Sequence, residues 1–489
     1  MHIIKPGNRA TPDQSMATAA RIAHHATLAL AALLVACTVG PDYQPPAMSA
    51  PEVWTAPIPE ARSDTVELAT WWRHFDDPAL ERLVEHALTA SPDLRSARAR
   101  VREARAARAQ TGAAWYPTVQ AMFGRTQNHG SDSTGRPRDS HSYRTGFDAG
   151  WEIDLFGGTR RANEAAQADL EAAQAELQAV RVSLAAEVAL EYVNLRRLQE
   201  QLGIAQRNLD TQTETAQIAQ WRAMAGLASA LDAEQARAAR EQTRARVPAI
   251  ETALAQARHR LATLLADPAE TTLAELALPK PVPLPQWQLA VGIPADTLRQ
   301  RPDVHAAERR LEAASARIGV ATAARFPSLS LSGTLGLQAS TLGGLDAHGT
   351  DVWSLGSSLA ATLFDGGRLR REIDIRSARQ EQALAAWEST VLGALEETAN
   401  ALAALDGSHR EHAALSDAAA AARTAATLAR AQYEAGLVDF AALLLAERTR
   451  LDAENALAAA RADTAGTMIQ LYKSLGGGWN SSTDTTDSG

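Results

Sequence analysis

The chain has a single cysteine, Cys37, in 489 residues. With no second thiol, an intramolecular disulfide, a cysteine zinc cluster and a CxxC redox pair are all excluded. Long apolar runs are missing too. Past the N-terminal segment nothing approaches the roughly 20 residues that a spanning helix needs, so any membrane crossing has to be made by strands. There is no excess of basic charge: 48 Lys and Arg face 57 Asp and Glu, for a formal net charge of −9, which argues against nucleic acid as a partner. The one arginine-rich stretch is Arg95, Arg98, Arg100, Arg102, Arg105 and Arg108. On a helix these spread over much of the circumference and are expected to be a solvated face paired with acids. Catalytic patterns are lacking. The histidines show no HExxH or equivalent metal spacing, and Gly366-Gly367 and Gly476-Gly477-Gly478 lack the lysine of a phosphate loop. No nucleophile–base arrangement stands out. Neither enzyme activity nor a cofactor or metal is expected.

What is present begins with a targeting signal. Lys5, Arg9 and Arg21 precede an apolar run over 26–36, too short to span and suited to a signal h-region. The run ends in Leu34-Val35-Ala36-Cys37, similar to a bacterial lipobox, whose cysteine is acylated, with palmitate among the chains, and becomes the new N-terminus. The alternative is a lone buried cysteine after the signal. Met16 offers a second possible start to Met1. Thr38 after the cysteine, rather than aspartate, is the pattern of lipoproteins sorted to the outer membrane. Removing residues 1–36, with Lys5, Arg9, Arg21 and Asp13 (net +2), takes the charge from −9 to −11.

The chain carries an internal repeat. Pro92-Asp93 recurs as Pro302-Asp303, Pro117 as Pro327, and Gly226-Leu227 as Gly436-Leu437, each 210 positions on (302 − 92, 327 − 117, 436 − 226). Alanine matches mean little in this composition, but prolines and glycines held in register indicate duplication of one large unit. A linker rich in proline (Pro268, Pro279, Pro281, Pro283, Pro285, Pro294) joins the halves. Each half reads as a helix (77–114 and 295–324), two strands, a very long helix (159–225 and 367–435), a glycine turn and a return helix. Neither long helix contains proline, and at 1.5 Å per residue each reaches on the order of 100 Å. Leu170, Ala173, Leu177, Val180 and Leu184, and likewise Leu384, Trp387, Val391 and Ala394, follow coiled-coil spacing.

The strands are expected over 119–126, 143–156, 328–338 and 352–364. In the second of these, Phe147, Ala149, Trp151, Ile153 and Leu155 alternate with Asp148, Gly150, Glu152 and Asp154. One wholly apolar face requires an apolar medium on that side, either a protein core or lipid. The lengths, and the lack of strands for a second sheet, favour lipid. Four strands do not close a barrel and an open edge is not tolerated in lipid, so several chains must share one barrel.

Several segments resemble the TolC-like outer-membrane efflux proteins, in their lipid-anchored branch. They are Cys37-Thr38-Val39-Gly40-Pro41-Asp42-Tyr43, Trp71-Trp72, Phe326-Pro327-Ser328-Leu329-Ser330-Leu331, Phe364-Asp365-Gly366-Gly367-Arg368, and 471–479 at the end of the last helix. The resemblance implies a mainly α fold with membrane β: a homotrimeric twelve-stranded outer-membrane β-barrel, four strands per chain, continued by a long periplasmic α-helical barrel. It implies an outer-membrane exit duct for drugs or metal ions delivered by an inner-membrane RND pump through a periplasmic adaptor (membrane fusion protein). Cys37 becomes the lipid anchor. The hairpin turns at Gly226, Leu227 and Ser229 and at Gly436, Leu437 and Asp439 become adaptor-docking tips. Asp232, Leu445, Glu447 and Arg448 become candidates for a periplasmic gate, with Leu445 standing where the family's pattern has an aspartate. The implied division is a signal peptide over 1–36, a lipidated equatorial segment over 37–76, and a first repeat over 77–267. An equatorial linker over 268–294, a second repeat over 295–475 and a flexible tail over 476–489 follow. A type I secretion duct and a non-transporting lipoprotein spacer are the competing readings; a spacer needs no amphipathic strands.

Overall fold

The computed structural model describes residues 38–47, 68–131, 134, 137–268, 270–285, 300–347 and 350–479. Cys37, Pro294 and the start of the second repeat at 295–299 lie outside them. The elements are α1 (Pro78–Ala90), α2 (Pro92–Gly112), β1 (Thr118–Ser131), β2 (Pro137–Ile153), α3 (Gly158–Met224) and α4 (Ala230–Leu264). Then come α5 (Pro302–Ala323), β3 (Ser328–Ala339), β4 (Thr350–Ala360), α6 (Arg368–Glu434) and α7 (Phe440–Ser474). Both long helices run unbroken for 67 residues. No described helix is long and apolar enough to cross a membrane.

Several expected bounds need correction: the second strand, read over 143–156, runs over Pro137–Ile153. The helix read over 77–114 is two helices. Asp77 caps α1, its carboxylate accepting from Ala79 N at 2.9 Å. Ser91 interrupts the run in an extended conformation, donating back to Ala87 O and accepting from Asp93 N at 3.2 Å. Pro92 then opens α2, where its missing N–H costs nothing. The last strand was read to 364 but ends at Ala360, leaving Leu363 and Phe364 96 % and 91 % exposed beyond it.

By contact the chain forms two compact units. One comprises Met1–Pro46, Glu103–Glu171 and Arg309–Ala385 and contains the sheet, antiparallel throughout in the order β1-β2-β3-β4. Register places the alternating residues in common rows. Phe147 lies opposite Ala121 on one side and Leu335 on the other, and Leu335 opposite Trp353. On the other face, Asp148 lies between Gln120 and Thr334, and Ser330 opposite Ser358. The pairing of β2 with β3, which joins the halves, is closest at Gly146 and Gly336; a Cβ on either would stand 2.3 Å from a facing carbonyl oxygen.

The second unit comprises Ala47–Arg102, Ala172–Glu308 and Ala386–Gly489. Its core gathers Trp71, Leu80, Leu83, Leu94, Tyr192, Leu261 and Ile469. Trp71 stacks on Tyr472 at 5.3 Å. Arg196, fully buried, donates to Tyr192 Oη, Gln199 Oε1 and Leu278 O, which ties the chain after α4 to α3. Burial and the Asp77 hydrogen bond push the Tyr192 hydroxyl far above the ordinary tyrosine range, so it stays a donor.

Candidate functional site

Three places carry the chemistry expected from the sequence: the sheet, the chain after the cysteine, and the hairpin turns. In the sheet the mainly apolar row of β2 reads Tyr143, Thr145, Phe147, Ala149, Trp151 and Ile153. Ten steps from Tyr143 to Ile153, at roughly 3.3 Å each and tilted by about 40°, cover about 25 Å, the height of a lipid-facing band. Tyr143 and Trp151 stand near its two ends, as interfacial aromatics do. Trp353 and Leu355 on β4 are 77 % and 80 % exposed, on the same face as Phe147. The opposite face is hydroxyls, glycines and a few charges. Among the described residues β1 and β4 have no strand on their outer sides, so two rows of backbone donors and acceptors stand open.

Cys37 lies outside the described residues, but the chain that follows it is fixed. Thr38 packs against Gly157, where a Cβ would come within 2.7 Å of the threonine methyl. Gly157 has φ +82, which only glycine adopts cheaply. Val39 N donates to Phe156 O at 3.2 Å. The Arg161 guanidinium donates to Asp42 at 2.6 Å and Glu164 at 2.8 Å. Burial works against its charge, yet these two carboxylates more than offset it and its pKa lies above the ordinary arginine value. The junction that holds Thr38 is the end of the sheet where β2 stops and β1 and β3 begin. Trp115, Tyr116 and Phe326 are exposed there.

The two hairpin turns are superimposable in their bonding. Gly226 (φ +75) donates to Ala223 O at 3.0 Å and Leu227 N to Arg222 O at 2.8 Å. Gly436 (φ +74) donates to Tyr433 O at 3.0 Å and Leu437 N to Gln432 O at 2.8 Å. Both are Schellman closures with glycine in the left-handed position. Ser229 then caps α4 and Asp439 caps α7, accepting from Asp232 N at 3.1 Å and Ala442 N at 2.9 Å. Leu227 and Leu437 are left 74 % and 76 % exposed at the points of reversal.

The gate candidates do not form one cluster. The Asp232 carboxylate is occupied in a capping box with Ser229, accepting from Ser229 N at 3.1 Å. Leu445 and Arg448, three residues apart on α7, are exposed, whereas Glu447 between them is buried. Its carboxylate accepts from Thr215 Oγ1 at 3.3 Å and lies 3.6 Å from Arg430. Burial pushes the Glu447 carboxyl above the ordinary glutamate range, with Arg430 and Arg450 pulling the other way.

Sequence reasoning missed Arg222 and Arg430, which tie α3 to α6. Arg222 donates to Tyr433 O at 2.7 Å and lies over its ring at 4.7 Å; Arg430 donates to Thr211 O and Thr215. An arginine four residues before the tip glycine, set against a tyrosine three before the other, was the signal available. The arginine-rich stretch also departs from expectation: on α2 all six guanidiniums are exposed, and none has an acid partner among the described residues. No group of three or more potential metal ligands clusters among the described residues.

Comparison with known proteins places this geometry. A family model described as outer membrane efflux protein matches residues 83–267 and again 293–477, two stretches offset by the repeat length. The pyoverdine export outer membrane protein OpmQ of Pseudomonas aeruginosa is 32 % identical over 459 residues, 92 % of this chain and 95 % of its own. The cation efflux system protein CusC of Escherichia coli is 31 % identical over 92 % of this chain and 97 % of its own. The solved outer-membrane channel OprN superimposes with a TM-score of 0.84 at 39 % identity, over 91 % of this chain and all of that one.

Proposed function

This chain belongs to the outer membrane efflux protein family and is an efflux channel component of the outer membrane; from that premise we propose that three copies close one twelve-stranded barrel whose lumen is the exit duct of a tripartite system. The observation that carries the trimer is the sheet: four strands with one mainly apolar face and two open edges. An unpaired edge in hydrocarbon costs several kcal/mol per polar group, and only neighbouring copies satisfy it at both sides.

The duct makes and breaks no bonds. Cys37 carries the lipid anchor: Thr38 is held at the end of the sheet where Trp115 and Tyr116 are exposed, so acyl chains on the preceding residue reach the adjoining leaflet. The two tips, Gly226, Leu227 and Ser229 with Gly436, Leu437 and Asp439, dock the periplasmic adaptor, which links the duct to an RND pump. Paired glycine closures present the exposed leucines at equivalent points of both halves. Leu445 and Arg448, the exposed pair, form the constriction between copies; Asp232 and Glu447 act behind it, by holding the first turn of α4 and the α3–α6–α7 contact. Relatives matched over nearly their whole length are named for pyoverdine and for cations. The duct accordingly leaves the choice between drugs and metal ions to the pump.

Reconstitution of the purified protein into planar bilayers, with native mass measurement, tests this reading. A trimer mass with discrete conductance steps is expected. A monomer that conducts under no condition overturns it.

A further inference from the structure

The arginines of α2 are exposed and have no acid partner among the described residues. Arg95, Arg98, Arg102 and Arg105 recur at three- and four-residue spacing and so form one stripe along α2. The stripe runs about a quarter turn from the buried face made by Leu94, Ala97 and Val101. All four side chains are exposed, and none has an acid partner among the described residues. On α6, Asp374, Glu381 and Glu388 recur every seven residues, also exposed and about a quarter turn from the buried Trp387, Val391 and Ala394. Asp374 is shared with Arg371 at 3.0 Å; Glu381 and Glu388 have no basic partner among the described residues.

Topology brings the two stripes together between copies. α2 leads into β1 and α6 leaves β4, the two open edges of the sheet. When β1 of one copy pairs with β4 of the next, α2 of the first lies beside α6 of the second, running the opposite way. Counted from the strand ends of the helices, Arg105 is seven residues before Gly112 and Asp374 six after Arg368. Arg98 and Glu381 are fourteen and thirteen residues along, and Arg95 and Glu388 seventeen and twenty. At 1.5 Å per residue the members of each rung differ in level by no more than about 5 Å, within reach of arginine and glutamate side chains. Because the helices are antiparallel, equal rotations from their buried faces put both stripes on the same side of the wall.

We infer that the arginine stripe of α2 pairs with the acidic stripe of α6 on the adjacent copy, forming a charged seam that sets which helices meet when the ring closes. This inference rests on the trimer proposed above. Three such seams, one per interface, would guide assembly by attraction and penalise wrong neighbours by like-charge contact.

Co-expression of two forms of the chain tests it, one carrying Arg98→Cys and the other Glu381→Cys. A short thiol-reactive cross-linker is expected to give dimers on a denaturing gel from the mixed trimer, and none from either form alone. Arg95→Glu with Arg98→Glu is expected to lower the trimer fraction in detergent about tenfold, with recovery when Glu381→Arg and Glu388→Arg are added. A trimer that yields no mixed cross-link, or whose stability ignores the charge reversals, overturns the seam and leaves the duct reading standing. The same holds if the reversals change only the anionic phospholipid that co-purifies. A wild-type chain that never forms trimers removes the duct reading first.

Discussion

The two halves of the chain share a backbone plan and differ in what they place on it. Pro92 and Pro302 open matching helices, and Gly226 and Gly436 close the long ones with the same pair of hydrogen bonds. Side chains at equivalent positions have diverged. Glu447, buried against Thr215 and Arg430, corresponds to Arg237, which sits in solvent beside Glu234. The first tip exposes Trp221, Met224 and Leu231 besides its leucine; the second exposes Leu437 and Leu445. Duplication has thus preserved the prolines that open helices and the glycines that turn at the tips, and released positions where a surface can be chosen. The comparison makes testable demands, beginning where the halves join.

Gly146 and Gly336 face each other across β2 and β3, the one strand pairing that links first half to second. A Cβ on Gly336 would stand 2.3 Å from Thr145 O, whereas one on Gly124, in the β1–β2 pair, meets nothing within 4 Å. Gly336→Ala is therefore expected to destabilise the sheet by about 2–3 kcal/mol, with Gly124→Ala close to neutral. Thermal midpoints of the two variants compare them directly. Equal midpoints would mean that the junction is no tighter than the rest.

Glu447 sharpens the contrast between buried and solvated equivalents. A carboxyl whose folded pKa is raised favours folding below its unfolded value, and that contribution is lost as pH rises through the folded value. In its ionised form the group is thus a local penalty, and Glu447→Gln removes it while keeping the acceptor for Thr215. The variant is expected to gain about 1 kcal/mol at pH 7 and nothing near pH 4. Denaturation midpoints at the two values check this; a loss at pH 7 would show that the Arg430 contact outweighs burial.

What could be read from the residues divides along the same line. Alternation located all four strands because one face had to be apolar, and glycines located both tips because positive φ demands them. The break at Ser91 was legible as well, since a serine before proline is an N-cap signature, but a continuous apolar pattern from α1 into α2 masked it. Burial of Glu447 was not legible: its partner Thr215 lies 232 positions away, and nothing local distinguishes it from exposed Arg448. The arginines of α2, which have no acid partner among the described residues, could not be resolved from a chain taken singly, because the acids proposed for them belong to another copy.

The smallest effect isolates the backbone from everything else. α4 and α7 both end in a Schellman closure: Asp267 N donates to Ala262 O at 2.9 Å, and Gly477 N to Tyr472 O at 2.8 Å. The left-handed position is glycine in the second half, Gly476 at φ +75, but alanine in the first, Ala266 at φ +52. An alanine there carries a clash of its Cβ with the following carbonyl that glycine avoids, worth roughly 1 kcal/mol, offset in part by the greater freedom glycine has in the unfolded chain. Ala266 is exposed, so no packing is lost on truncation. Ala266→Gly is accordingly expected to stabilise the last turn of α4 by about 0.5 kcal/mol, read as a roughly twofold slowing of hydrogen exchange at the Asp267 amide. The reverse change, Gly476→Ala, adds steric crowding to strain, since its Cβ would meet Arg301 Cα at 3.3 Å, and should cost more than the first change gains. If both changes were equally mild, the left-handed turn would not be what kept glycine in one half, and the surroundings of Arg301 would have to be.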